Sequence, residues 1–289
     1  MRLVVGVDTG VHYKAALNLA ARLRFANPQW TLAHSVDLSL PIAGSGFGIE
    51  GAFGIDSMTF ANDLGRKALE RARDDACAHG INAEAVMLAG NAASSLMDYA
   101  DEVEADLVVV QSERKHGLGA MFLGSVSRGL AIGARQSALI SKGEVSPTGD
   151  LHAVFATDLS DYSKRAIDKF LELHPEGIKA IRLVYAFHLG VAGPDQSDGV
   201  GFIEAKLIED ASAQLSELAA KIKAAGYACT FAVIDLPVSD AINQSMTQSK
   251  ADLLVLGAQG HGFMHRLVLG STALHQVVDE PHPVLLIRP

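Results

Sequence analysis

The chain repeats itself, and this restricts its architecture more than any other feature. The segment EADLVVVQSERKHGLGAMFLGSVSRGL (104 to 130) aligns with KADLLVLGAQGHGFMHRLVLGSTALHQ (250 to 276) at an offset of 146 residues. In both, a continuous apolar run leads to a later Leu-Gly-Ser. Nearer the start, LVVGVDTGVHYKAALNLA (3 to 20) aligns with AVFATDLSDYSKRAIDKF (153 to 170) at an offset of 150, with Asp8 opposite Asp158. Two copies of one domain are the simplest reading. The 289 residues suffice for two domains of about 140 each, and each can bury its own core. Between them KGEVSPTGD (142 to 150) has the Gly, Ser and Pro of a short connector, so the domains are expected at 1–146 and 150–289.

Within each copy short Val/Leu/Ile-rich runs alternate with longer amphipathic patterns. In the second copy strands are expected at about 152–158, 179–187, 228–234, 252–257 and 283–288, with helices at about 161–173, 200–225, 237–249 and 270–279. Apolar strands alternating with helices define an α/β fold, here two tandem, doubly wound, parallel five-stranded sheets covered on both faces. Ligands of such sheets sit beyond the C-terminal strand ends, where the strand order reverses. Asp158 closes the first strand of the second copy and Gly257 closes its fourth.

Composition narrows the partners. The net charge is −9, and no block of five or more Lys/Arg interrupts the sequence, so the broad basic footprint of a nucleic-acid or anionic-membrane binder is missing. An anionic ligand must then be held by local backbone N–H groups, a helix terminus or a metal ion. No run of about 18 apolar residues occurs, and the opening MRLVVGVDTG leads straight into a strand. Cys77 and Cys229 stand at unrelated places in the two halves and read as packing residues. A reducing, cytoplasmic setting is the expectation, with no nucleic acid and no membrane as partner.

The residues that point to chemistry are Gly257-x2-Gly260-x9-Gly270-Ser271-Thr272. Glycine permits positive φ and carries no Cβ, so a loop built on it can turn its N–H groups inward as an anion nest. Gly270, Ser271 and Thr272 open a helix whose free N–H groups and hydroxyls suit phosphate oxygens. The plainer alternative is an ordinary strand-to-helix loop with a Ser/Thr cap. Asp158 likewise has two readings. It accepts a hydrogen bond from a ligand amine or ribose hydroxyl, or it caps the helix that starts near 161.

At these residues the sequence resembles a tandem universal stress protein. ATDLSDYSKRAI is similar to the family's first strand and helix, and LLVLGAQGHGFMHRLVLGSTALHQVVDEPHPVLLIRP to its final third, including the G-2x-G-9x-G-[ST] signature. The resemblance covers both halves. It implies an adenine nucleotide alpha hydrolase-like fold that binds ATP. Asp158 and Ala186 would face the adenine end, Gly257 and Gly260 would line the ribose and phosphate path, and Gly270, Ser271 and Thr272 would take the phosphates. Mg²⁺ commonly accompanies such nucleotides, although no residue declares itself a dedicated ligand. It also implies domain pairing through the last strands, PVLLIRP (283 to 289) and SALISK (137 to 142), and a homodimer.

The first copy departs from the signature. Gln111 stands where Gly257 does, Arg114 replaces Gly260 and Val126 replaces Thr272, while Asp8, Gly124 and Ser125 remain. The expectation is that this copy binds ATP poorly or not at all, its pocket filled by Arg114 and its neighbours. The rival reading has Arg114 supplying a phosphate contact of its own.

Other patterns attract simpler readings. GFGIEG (46 to 51) matches G-x-G-x-x-G but does not join a strand directly to a helix, so a mobile loop is expected there. His261 and His265 are four apart without further metal ligands nearby. They read as solvated, or as one imidazole helping Arg266 neutralise phosphate.

Three functional classes remain. The first is an ATP-binding stress-response protein acting by a nucleotide-dependent change of conformation or partner. No nucleophile, general base or Walker lysine marks fast phosphoryl transfer, which leaves slow hydrolysis by a water held at Ser271, Thr272 or His261. The second is a carrier of a lipid or apolar metabolite on the same fold. The third is an enzyme of a related nucleotide-binding fold, whose acid/base residues the sequence does not supply.

Overall fold

A computed structural model describes residues 1–37, 54–112, 124–143, 148–188, 197–259 and 269–289, with the backbone alone for 54–57 and 197–204. The chain forms two compact units. One comprises Met1–Ala21 with Asn27–Pro147, the other Arg22–Ala26 with Thr148–Pro289.

The first unit runs β1 (Arg2–Gly6), α1 (Tyr13–Leu23), β2 (Gln29–Val36), α2 (Gly54–Ala78), β3 (Ala83–Ala89), α3 (Ala92–Glu102), β4 (Leu107–Ser112), α4 (Ser125–Gly133) and β5 (Ser137–Lys142). Its strands lie in the order β3-β2-β1-β4-β5. All four pairings are parallel. The second unit runs β6 (Leu151–Ala156), α5 (Asp161–Leu173), β7 (Ile178–Phe187), α6 (Ser197–Ala224), β8 (Ala228–Asp235), α7 (Val238–Ser249), β9 (Leu253–Gly257), α8 (Ser271–Val278) and β10 (Val284–Ile287). It repeats the order as β8-β7-β6-β9-β10, again wholly parallel. Both sheets are doubly wound and five-stranded, as the alternating pattern predicts. In each the strand order reverses beside the first strand, between β1 and β4 and between β6 and β9.

The local chemistry explains the elements. β9 carries Leu253, Leu254, Val255 and Leu256 in succession, all buried, because a central parallel strand is covered on both faces. At the edge, β8 is exposed at alternate early positions, as expected of a strand with fewer neighbours. Helix α5 starts at Ser160, whose Oγ accepts from the Ser163 N–H at 3.1 Å. It stops at His174, which takes a left-handed conformation before Pro175. Between these ends Ala166, Ile167, Phe170 and Leu173 form one buried stripe at helical spacing. Phe170 meets Phe155 of β6 edge to face, 5.6 Å between ring centres. Truncating it to Ala would cost about 3–5 kcal/mol.

Cys229 is buried, as the packing reading requires, but Cys77 is exposed on α2. Its position places it on the outward side of that helix, beside buried Ala76. No helix among the described residues is long and apolar enough to cross a membrane.

Candidate functional site

In the second unit the chain leaves β6 after one more sheet bond, the Thr157 N–H donating to Val184 O at 2.9 Å. This carries Asp158 to the C-terminal edge of the sheet at the order reversal. On the other side of the reversal, β9 ends at Gly257, and the Ala258 N–H donates to Ile287 O at 3.0 Å. The loop then returns, with the Gly270 N–H donating to Ala258 O at 2.8 Å. These bonds fix α8 so that its first turn faces the strand ends.

A cavity of about 230 Å³ lies there. Its lining includes Asp158, Ala186, Gly257, Gly270, Ser271 and Thr272, six of the eight residues singled out in the sequence. Gly260 and His261 fall outside the described residues, as do His265, Arg266, Arg114 and GFGIEG. Val184 and Ala186 of β7 and Ile242 of α7 give the cavity apolar lining, and Ser271 and Thr272 give it hydroxyls at the helix mouth.

The helix mouth has the properties of an anion site. Gly270 is the N-cap of α8 and supplies no side-chain bond, and the first intrahelical bond is Leu274 N–H to Gly270 O at 2.8 Å. The N–H groups of Ser271, Thr272 and Ala273 therefore precede the ladder and carry the positive end of the helix dipole. The second carboxylate reading is also resolved: Ser160, not Asp158, caps α5. Asp158 orders that cap from outside, its Oδ1 accepting from the Ser160 N–H at 3.1 Å and the Ser160 hydroxyl at 2.6 Å. Its carboxylate is held at the cavity wall by these bonds.

Glycine matters here for space. Neither Gly257 nor Gly270 has positive φ. A Cβ on Gly257 would stand 3.1 Å from the Tyr162 ring and 3.3 Å from Gln259 O, closer than such contacts allow without a shift. Tyr162 is part-buried, and that burial pushes its phenol pKa up. It also receives the Arg165 guanidinium 5.7 Å from its ring centre.

Sequence reasoning missed Thr157 and Ser163, which line the cavity and share a 2.6 Å hydroxyl bond. Ser160-x-x-Ser163 was a readable cap signal, whereas the contact between Tyr162 and Gly257 depends on tertiary packing. In the first unit Gln111, Gly124, Ser125 and Val126 also line one cavity, with Asp8 opposite. Its described walls enclose about 870 Å³.

The chain matches the universal stress protein family over residues 1–142 and again over 152–288. A universal stress protein of Thermus aquaticus, named for its place in the QAH/OAS sulfhydrylase 3'region, is 31% identical over 143 residues, 47% of this chain and 96% of that relative. A universal stress protein from Archaeoglobus fulgidus DSM 4304 is similar in structure over 100% of this chain and 98% of its own, with a TM-score of 0.70 at 14% identity. A protein of unknown function from Pseudomonas aeruginosa PAO1 covers 100% of this chain and 92% of its own, with a TM-score of 0.61 at 15% identity. The chain belongs to the universal stress protein family, with two such domains in tandem.

Proposed function

We propose that the second unit binds ATP and that the protein acts through a nucleotide-dependent change of conformation or partner in the stress response. The observation that carries this reading is the uncapped first turn of α8 opening into the same cavity as Asp158 and Gly257. A base fits against the apolar lining of Ala186 and Ile242, within reach of the Asp158 carboxylate as acceptor for an amine or ribose hydroxyl. The phosphates lie along Gly257 toward Ser271 and Thr272, where a negative charge at a helix N-terminus gains about 0.3–1 kcal/mol. A volume of about 230 Å³ suits base and sugar, with the phosphates along the open mouth.

The residues fit the nucleotide but offer no protein cage for Mg²⁺. Among the described residues no group of three or more His, Cys, Asp or Glu could hold a metal ion. An accompanying Mg²⁺ would be held by phosphate oxygens and water. The reading includes a homodimer in the cytoplasm, supported by the apolar last strands β5 and β10, and sedimentation of the full chain tests its size.

Mass spectrometry of the small molecules released on denaturing the purified protein tests the ligand. An adenine nucleotide is expected. A lipid or apolar metabolite in its place would replace this reading with the carrier.

A further inference from the structure

The second unit has another cavity at the opposite end of its sheet, where β6, β7 and β8 begin, of about 370 Å³. The parallel registers build its floor. His152, Ala180 and Ala228 form one row across the three strands, and Arg182 and Thr230 stand side by side in a second row. Along β7 and β8 these positions alternate with buried Ile181 and Cys229, so they share the other face of the sheet. That face is the one on which α7 packs, since Arg182 Nη2 donates to Gln248 Oε1 at 3.2 Å. Helix α7 lies over β6 and β7 and ends at Ser249, which lines the hollow, while Ala228 and Thr230 on edge strand β8 stay exposed.

Charge sets this hollow apart. In a chain of net charge −9, Arg182, Lys223 and His152 line it, and among its described lining residues none is Asp or Glu. Lys223 has a plain structural role, because it stands in the last turn of α6, where a cation complements the helix dipole. Arg182 has none of this kind. It rises from a strand, and its Nε is buried without an acceptor among the described residues. Buried donors are satisfied in folded proteins by protein, water or ligand. Nor does the fold require a guanidinium here. In the first unit Val4 meets Thr31 as Val154 meets Arg182, and Thr31 is paired with Glu84, so the corresponding floor carries a carboxylate.

An acceptor entering this cavity meets one guanidinium and the Thr230 hydroxyl beside a floor of alanines. A carboxylate matches the planar fork of N–H groups, and a hydrocarbon chain suits Ala180 and Ala228. A phosphate dianion fits less well. The helix ends at this cavity are the C-termini of α6 and α7, and the negative ends of their dipoles penalise a second charge.

We propose that this cavity is a ligand site for a monocarboxylate with a short aliphatic chain, its carboxylate accepting from Arg182 and Thr230 and its chain lying over Ala180 and Ala228. The site is at the other end of the strands from Asp158 and Gly257, and the inference does not rest on the ATP reading.

Calorimetric titration of the full chain with hexanoate tests it, run beside 1-hexanol and inorganic phosphate and repeated with saturating ATP. One hexanoate per chain is expected, with the same affinity whether or not ATP is present. Arg182→Leu should weaken it by about tenfold or more, the loss expected for a hydrogen bond to a charged group. Arg182→Lys keeps the charge but not the fork and should weaken it less. Ala228→Leu fills the floor from an exposed edge-strand position and should abolish binding, so it carries the test alone should Arg182→Leu fail to fold. Absence of saturable hexanoate binding, wild-type affinity in Ala228→Leu, equal affinity for 1-hexanol, or displacement of hexanoate by phosphate or ATP would overturn the proposal.

Discussion

The two units share one topology and place a cavity at the same turn of the fold, but the unit with the incomplete glycine signature has the larger one, about 870 Å³ against about 230 Å³. Space and chemistry have separate origins. The doubly wound sheet creates a hollow wherever strand order reverses. What the hollow accepts is decided by a few positions at its rim. In the second unit Gly257 leaves room beside Tyr162, and Ser271 and Thr272 add donors at a helix mouth. In the first, Gln111 occupies the glycine position, while His12, at the place of Tyr162, turns to Asp8. The packing that forces glycine in one unit is absent from the other, so a larger residue there finds room.

The largest effect expected follows from that pair. Gly257→Val would drive Cβ against the Tyr162 ring and place two methyls on the proposed nucleotide path; the overpacking should cost about 1–3 kcal/mol of stability, and ATP affinity should fall roughly tenfold or more. Equilibrium titration with ATP measures it, and unchanged affinity would remove Gly257 from the nucleotide path. Next, Gln111→Gly combined with Val126→Thr restores the signature's strand end and helix mouth in the first unit. A gain of about tenfold in ATP affinity there is expected, seen as a second equivalent in the same titration. If the second equivalent fails to appear, the strand-end rule does not explain the difference between the units.

A smaller effect concerns the cap that orders Asp158. Ser160→Ala removes the acceptor for the Ser163 N–H and should lower stability by about 1 kcal/mol, measured by urea unfolding. Weaker nucleotide binding should accompany it, because Asp158 Oδ1 loses the Ser160 hydroxyl. The first unit has Gly10 at this position and should show no such dependence.

The smallest effect separates the two thiols. Burial pushes the Cys229 pKa up to about 11. At pH 8 a thiol reagent should modify exposed Cys77 promptly and Cys229 only on unfolding. The sign for stability follows: the folded-state pKa is raised, so this contribution is intact below pH 9 and is lost as pH climbs through 11. The urea midpoint should fall across that window, and less so in Cys229→Ala.

Much of this was legible before any coordinates. The offset between LVVGVDTG and AVFATDLS announces two units, and continuous apolar runs such as LLVL announce central parallel strands. α5 spans 161–173, as its pattern and cap indicate. Asp158, Ala186, Gly257, Gly270, Ser271 and Thr272 do converge on one cavity, because strand ends and helix starts are fixed by the topology. What the sequence hid depends on side chains meeting across elements. Positive φ was one plausible reason for the glycines, and the Tyr162 contact shows that clearance is the operative one at Gly257. Which way the Gln111 amide turns was equally invisible, since no spacing reveals it. Cys77 misled because an amphipathic pattern sets a face only to within one position along the helix.

The most direct measurement is the ATP stoichiometry of the full chain by calorimetry, read in parallel for Gly257→Val and Asp8→Ala. The account predicts one ATP per chain, greatly weakened in Gly257→Val and unaffected in Asp8→Ala. Two equivalent ATP sites, or a single one that survives Gly257→Val and disappears with Asp8→Ala, would contradict it.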